Sequence, residues 1–181
     1  MFCVGLSGYS YKPWKGEGRF YPEDLKAREF FDFYAKRYTT VEMDGTWYRM
    51  PSESMIEKWI EQAPAGFKYS PKMHRDVTHR MRLKPESLDS TKFFLKRLRP
   101  AAENGLLGPI LVQLPPNLKI QFDRLSEYVQ GLPRSTKELE GEGADAPLAY
   151  AFEFRNDTWF TDEGARFLDR LFQPHCLLYV H

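Results

Sequence analysis

The chain has 181 residues, of which 42% are hydrophobic and 15% aromatic, and its formal net charge is +1. This length and composition suffice for a single globular domain with a substantial core, and the near-zero net charge excludes a general attraction to nucleic acid or membrane. No long uncharged apolar run occurs and Met1 leads directly into a strand, so we expect neither a membrane segment nor a signal peptide.

Predicted strands and helices alternate along the whole chain. Six strands, predicted from short apolar runs, cover residues 3–7, 40–43, 67–70, 110–114, 149–154 and 177–180. Five helices, predicted from apolar residues at helical spacing, cover residues 28–38, a segment after Pro51-Ser52, residues 90–104, a segment capped by Asp123, and residues 162–172. This is a repeating βα chain, a class in which chemistry is placed at the carboxyl ends of the strands.

Loop lengths indicate the same face. The connections after strands one and three, residues 8–27 and 71–89, are long and rich in aromatic or basic residues, whereas the connections into strands two, three and four are short. Residues 133–147 are the exception, because this long acidic segment precedes a strand and belongs to the opposite face. We predict that it is a flexible, solvated insertion without a catalytic role.

Polar side chains share one parity on four of the strands, and apolar side chains such as Val41, Tyr69, Val112 and Phe152 take the other. Because strand side chains alternate between faces, each strand turns its polar row to the same side. Five polar side chains are therefore expected to meet at one mouth at the strand ends: Glu42, Lys72, Gln113, Glu153 and Arg155.

This polar cluster has two interpretations. In the functional one, Glu42 and Glu153 transfer protons, Lys72 and Arg155 hold an anion, and Gln113 orients the substrate. In the structural one, the same charges form a fixed ion-pair network that fills the interior. The two interpretations are compatible, since many charges in one interior must pair in either case.

Aromatic residues follow several strand ends. Their faces could stack on a nucleobase or a sugar ring, and the residues predicted to bind substrate in this way are Tyr9, Trp14, Tyr21, Tyr48 and Trp159. Tyr11 and Trp47 have similar positions in the chain. The alternative is that several of these rings only cover the core.

The segment after strand three is basic. Arg75, Arg80, Arg82 and Lys84 could attract a phosphate backbone, although a solvated basic loop is the commoner explanation of such a run. Four histidines, two of them in this basic segment, are too few for a metal centre, so we expect no bound metal and no cofactor.

Six segments resemble a known family: residues 5–14, 20–22, 40–48, 66–72, 111–116 and 152–155 with Trp159. Their ordered succession is similar to the YecE-like family, domain of unknown function 72. The resemblance implies a TIM-type βα barrel of unassigned activity, for which nucleic-acid processing and a sugar-isomerase or endonuclease-like relationship have been suggested. At Met43-Asp44-Gly45 the chain departs from the family pattern, so a role for Asp44 is less secure than one for Glu42.

Family members usually continue for two more strands. We therefore expect a single, incomplete barrel over residues 1–181, with strands seven and eight absent and the first and last strands free to recruit a second copy. Cys3 and Cys176 cannot form a disulfide framework, which favours the cytoplasm.

The sequence thus predicts an enzyme, or the remnant of one, that uses acid/base chemistry on a small phosphorylated or polyhydroxylated substrate. A metal-independent hydrolase or isomerase is the expected type. The alternative is a non-catalytic nucleic-acid-binding module that uses the basic segment after strand three. These two classes differ in their response to salt, because phosphate-backbone binding weakens steeply as salt increases.

Overall fold

The computed structural model describes residues 3–139 and 141–172, together with the backbone of residues 178–180. Within these ranges the strands are β1 Gly5–Ser7, β2 Thr40–Met43, β3 Lys68–Pro71, β4 Ile110–Gln113, β5 Tyr150–Glu153 and β6 Leu178–Val180. The α-helices are α1 Phe30–Ala35, α2 Gly45–Tyr48, α3 Glu53–Gln62, α4 Ser87–Glu103, α5 Phe122–Gln130 and α6 Asp162–Phe172. None of the described helices combines the length and apolarity that a membrane crossing requires.

All strand pairs in the described ranges are parallel, and they form two small sheets in the order β1-β2-β3 and β4-β5-β6. The sheets adjoin at isolated bridges, where Tyr69 N–H donates to Leu106 O at 2.8 Å and Met73 N–H donates to Leu111 O at 2.8 Å. The strands therefore lie side by side in chain order. β1 and β6 each have one strand partner in the part of the chain that is described, so the sheets are open. The result is an α/β fold with parallel strands, and the expected barrel is not closed by these strands.

Alternation along the strands separates an apolar face from a polar face, as predicted. Val41, Tyr69, Val112 and Phe152 are fully buried and belong to one hydrophobic core that includes residues from the helices. Glu42 and Glu153, at the alternate positions of β2 and β5, are only partly buried. Because the register pairs Ser7 with Glu42 and Gln113 with Glu153, the polar residues of neighbouring strands are side by side on the opposite face.

Helix starts follow the local capping chemistry. Ser52 precedes α3 and its hydroxyl accepts a hydrogen bond from Met55 N–H at 3.2 Å, as the Pro51-Ser52 signal predicts. The prediction that Asp123 caps the next helix is wrong, because α5 begins one residue earlier and Asp123 lies in its first turn. A carboxylate in the first turn is still favourable there, since it faces the positive end of the helix dipole.

The short helix α2 was not predicted, because Gly-Thr-Trp-Tyr has no apolar repeat at helical spacing. Thr46 secures this turn: its hydroxyl is within hydrogen-bond distance of Met43 O (2.8 Å) and Lys72 O (2.7 Å). The turn is therefore tied to the ends of both β2 and β3, next to the polar face.

The segment 133–147 is not a fully solvated insertion, because its base is packed. Thr136 is fully buried; its hydroxyl donates to Ala144 O at 2.7 Å and accepts from Ala146 N–H at 2.8 Å. Leu139 is also buried, with 3% of its surface exposed. Residues 141–145 at the tip are exposed, as expected. Flexibility of this tip stays a prediction.

The long segment after β3 is also built differently from a solvated basic loop. It contains one turn of π-helix, Asp76–Arg80, in which Val77 and Thr78 are fully buried. Arg82 and Leu83 follow in the left-handed region, with φ of 54° and 57°. This conformation costs about 1–2 kcal/mol for each residue that has a Cβ. Burial of the Leu83 side chain offsets part of that cost.

Candidate functional site

The ends of β1 and β2 bring two carboxylates to one hydroxyl. Ser7 Oγ lies 3.0 Å from Glu42 Oε1, and it also donates to Asp44 Oδ2. A hydroxyl has one proton, so Ser7 can satisfy only one of these acceptors at a time. Glu42 and Asp44 are therefore competing neighbours, and a shared proton would relieve their mutual repulsion.

This geometry changes the proton affinity of Glu42. Burial raises the pKa of the Glu42 carboxyl above its ordinary value, and the adjacent Asp44 charge raises it further. The hydrogen bond from Ser7 and the charge of Lys72 oppose these effects without cancelling them. A carboxyl group that retains its proton to a higher pH is suited to act as a general acid or base.

Lys72 stands just beyond β3 and connects this carboxylate pair to the rest of the mouth. Its Nζ lies 3.2 Å from Asp44 Oδ1, with only 13% of the lysine side chain exposed. The pairing involves Asp44, whose role the sequence left uncertain, and brings a cation next to the Glu42 and Asp44 pair. Lys72 thus lies beside the carboxylate pair, and its role in binding a ligand stays a prediction.

The remaining predicted polar residues form a second group at the ends of β4 and β5. Gln113 Nε2 donates to Glu153 Oε2 at 2.7 Å, and Arg155 Nε lies 3.8 Å from Glu153 Oε1. Both carboxylate oxygens of Glu153 therefore have a neighbour. Glu153 positions the two side chains beside it, whereas Gln113 and Arg155 line a cavity. Arg155 is 44% exposed at its side chain, so this ion pair is not a buried one.

His79 belongs to the site although it was considered in the sequence only as a metal ligand. Its Nδ1 lies 2.9 Å from Thr78 Oγ1, and its ring meets the Trp47 ring edge-on with centroids 4.9 Å apart. Burial lowers the pKa of His79, and the charges of Lys72, Arg155 and Arg82 lower it further. Its neutral form is thus favoured. The π-helical turn that places His79 here has no signature in the sequence.

Two adjoining cavities open at these strand ends and share Asp44. The first, of about 380 Å³, is lined by Ser7, Tyr9, Tyr11, Glu42 and Asp44 among others. The second, of about 430 Å³, is lined by Asp44, Trp47, Tyr48, Lys72, His79, Gln113 and Arg155. We call them the carboxylate cavity and the cation cavity. Their volumes suit small-molecule ligands.

The aromatic residues predicted to bind substrate divide into two groups. Tyr9 lines the carboxylate cavity, and Tyr48, which is 60% exposed, lines the cation cavity. Tyr21 is fully buried and stacks on Phe30 with ring centroids 4.2 Å apart. Trp159 is 2% exposed and donates its Nε1–H to Leu118 O at 2.9 Å. For Tyr21 and Trp159 the prediction is wrong, because both rings belong to the core.

Trp14 is partly buried and packs edge-on against Tyr11 and Phe20, with ring centroids 5.5 Å and 6.0 Å away. It lines neither of the two cavities. The structure therefore supports an indirect part for Trp14, through its contact with Tyr11 at the rim. Direct ligand binding by Trp14 stays a prediction.

The four basic residues of the nucleic-acid alternative have different environments. Arg80 pairs with Asp76 at 2.8 Å, and the Arg75 guanidinium lies 6.0 Å from the Trp47 ring. Arg82 is partly buried in its left-handed conformation, and Lys84 lines a separate groove beside α5. These environments give little support to a single basic stripe.

Across the described ranges, no three His, Cys, Asp or Glu residues are placed so that they could hold one metal ion.

Comparison with known proteins places the chain in a family. The family model described as "protein of unknown function DUF72" matches residues 3–180. The chain is 28% identical over 167 residues to the UPF0759 protein YunF of Bacillus subtilis, a match that covers 89% of this chain and 53% of YunF. It is 27% identical over 115 residues to the UPF0759 protein YecE of Escherichia coli K12, covering 64% of this chain and 38% of YecE.

Two solved structures have the same fold. A DUF72 family protein from Enterococcus faecalis V583 superposes with a TM-score of 0.67 at 18% identity, covering 98% of this chain and 61% of that one. A DUF72 family protein from Thermotoga maritima MSB8 gives a TM-score of 0.67 at 27% identity, covering 93% and 61%. The chain thus spans about half the length of YunF, the better-covered of these two relatives, and about 61% of each solved structure. With a family match over nearly all of its residues, this chain belongs to the DUF72 family.

Proposed function

We propose that the two strand-end cavities bind a small polyhydroxylated or phosphorylated molecule and that Glu42 exchanges a proton with it. The observation that carries this proposal is the pair of carboxylates, Glu42 and Asp44, that compete for the Ser7 hydroxyl. Burial and the Asp44 charge raise the pKa of Glu42, so this carboxyl retains its proton to a higher pH than an ordinary glutamate does. A structural ion-pair network alone would place a cation against Glu42, whereas Lys72 is paired with Asp44.

Each neighbouring group has a place in this chemistry. Lys72 and Arg155 stabilise negative charge on the ligand, Gln113 orients it, and Tyr9 and Tyr48 cover it. Glu153 holds Gln113 in place through their hydrogen bond and lies beside Arg155. With one proton-transfer group and stabilising cations, the site fits a hydrolase or isomerase that works without a metal.

The test of this proposal is a thermal-shift screen of the purified chain against polyols, phosphorylated sugars and oligonucleotides. We expect some polyols or phosphorylated sugars to raise the melting temperature of the chain. The bound compound should then be turned over or should exchange a proton with solvent. Glu42→Gln should abolish the exchange while the compound still binds, because the amide retains the shape of the carboxyl without its acidity. If Glu42→Gln binds the compound and still exchanges its proton, the role of Glu42 is refuted.

The screen also separates the nucleic-acid alternative. Oligonucleotide binding that weakens steeply with salt and depends on Arg75, Arg80, Arg82 and Lys84 would favour a nucleic-acid-binding module. The dispersed positions of these side chains argue against it.

We also propose that the parallel strands form part of a TIM-type barrel. The support is their order in space, which follows the chain, and the polar strand ends gathered on one face. The free edges of β1 and β6 would then pair with further strands, including those of a second copy. Sedimentation at increasing concentration should show association, and a concentration-independent monomer would contradict pairing between copies. The cytoplasm suits the exposed free thiol of Cys3.

A further inference from the structure

The two cavities differ in charge although they share a wall. The carboxylate cavity is lined by Glu42 and Asp44, and no basic residue is among its described lining residues. The cation cavity is lined by Lys72 and Arg155 with Asp44 as its one carboxylate, and by the neutral-favouring His79. A ligand with the same charge along its whole length would be repelled by one of the two cavities or would gain nothing from it. The two cavities therefore select a molecule with two chemically different ends.

The cation cavity has the features of a site for a tetrahedral dianion. Lys72 supplies a point charge and Arg155 a planar fork of donors, a combination that suits phosphate oxygens. Lys72 is paired with Asp44 on one side, and Arg155 is only loosely paired with Glu153. The carboxylate cavity offers acceptors, and carboxylates accept hydrogen bonds from hydroxyl groups.

Resting on the function proposed above, we propose that the ligand is a phosphorylated polyol whose phosphate lies between Lys72, His79 and Arg155 and whose hydroxyls face Glu42 and Asp44. His79 then takes up a proton from solvent when the dianion binds. In the protonated ring Nδ1–H donates to the Thr78 hydroxyl oxygen, which leaves Nε2–H to donate to the dianion.

The direction of this proton linkage follows from the charges around His79. The cations Lys72, Arg82 and Arg155 disfavour its protonated form, and Asp44 is the carboxylate in the same cavity wall. A bound dianion reverses this balance, so His79 becomes protonated and binding strengthens as pH falls. The Trp47 ring, which packs against His79, carries no charge that titrates.

Sulfate is a suitable probe because its own charge does not change between about pH 5.5 and 8, whereas phosphate titrates there. Calorimetric titration of sulfate near pH 6.5, in two buffers of different ionisation enthalpy, measures the protons taken up. We expect uptake in the parent chain, none in His79→Gln, and affinity for sulfate at least about threefold greater near pH 5.5 than near pH 7.5. Lys72→Gln should weaken sulfate about tenfold, and Lys84→Gln, which alters the separate groove, should not.

A second pair of probes tests the other end. Sorbitol 6-phosphate should bind the parent more tightly than sulfate does, and Glu42→Gln should reduce the ratio of these two affinities. Equal proton uptake in parent and His79→Gln, or equal affinity for the two probes, overturns the inference and leaves the proposed function standing. Binding of sorbitol without any binding of sulfate does the same. If neither polyol, sulfate nor phosphorylated polyol binds, both proposals fail.

Discussion

Replacing the proposed proton-transfer residue should make the protein more stable near neutral pH. In Glu42→Gln the side chain keeps its shape and can still accept the Ser7 hydrogen bond, but it loses the charge that burial and Asp44 disfavour. Two unit charges about 4 Å apart repel by about 1 kcal/mol in bulk water and by about 4 kcal/mol at an effective dielectric constant of about 20. Glu42 is partly exposed and solvent screens its charge, so we expect a gain of about 1 kcal/mol and no more.

The stability difference between Glu42→Gln and the parent should depend on pH. Because the folded-state pKa of Glu42 is raised, the folded protein holds this proton more tightly than the unfolded chain does. The corresponding stability is fully present below the unfolded-state pKa, about 4.3, and is lost as pH rises through the folded-state pKa. The variant does not undergo that loss. Its advantage over the parent should therefore be near zero around pH 4 and should grow toward pH 7.

Urea denaturation of both proteins at a series of pH values measures this difference, with the slope checked for constancy. Glu57→Gln is the matched control, because Glu57 is exposed on α3, and its effect on the free energy of unfolding should be within about 0.5 kcal/mol at every pH. A Glu42→Gln protein that is less stable than the parent at neutral pH, or a difference that does not vary with pH, would refute the burial argument.

Substitutions at three further positions test the framework around the site. Thr136→Val should cost about 1–3 kcal/mol in chemical denaturation, because the Ala146 N–H loses its acceptor, and Thr136→Ser should cost less. In chemical denaturation Arg82→Gly should be more stable than Arg82→Ala by about 1 kcal/mol, since only glycine is free of strain at a φ of 54°. The reverse order would contradict the backbone conformation of Arg82. Gly5→Ala should lower the free energy of unfolding by about 3 kcal/mol and weaken ligand binding. The added Cβ would lie 2.0 Å from the Thr40 carbonyl oxygen and would push β1 away from β2. A variant as stable as the parent would rule out the pairing of β1 with β2.

The sequence predicted which face of the sheet each strand residue lies on, because strand side chains alternate between the two faces. It correctly placed Glu42, Lys72, Gln113 and Arg155 on the polar side, at the ends of neighbouring strands. It could not say which charges pair, because that depends on side-chain reach across the mouth. Lys72 contacts Asp44 rather than Glu42, and Glu153 accepts the Gln113 hydrogen bond without lining either of the two cavities.

Aromatic residues were the weakest part of the sequence interpretation. The position of an aromatic residue after a strand end does not predict the rotamer of its side chain. Tyr21 and Trp159 turn inward, where each donates a hydrogen bond to an acceptor inside the protein. His79 was missed as a site residue for a related reason. The π-helical turn and the two left-handed residues that follow depend on tertiary packing of Val77 and Leu83, which no local pattern announces.

The central claim is that one small ligand occupies both strand-end cavities. A nuclear magnetic resonance titration of the isotopically labelled chain with sorbitol 6-phosphate tests it most directly, since shift changes report which residues respond. We expect saturable changes in both walls at one common dissociation constant: at Ser7 and Glu42 in the carboxylate cavity, and at Lys72 and His79 in the cation cavity. Changes confined to one cavity, to the groove at Lys84, or to no residue at all would contradict it.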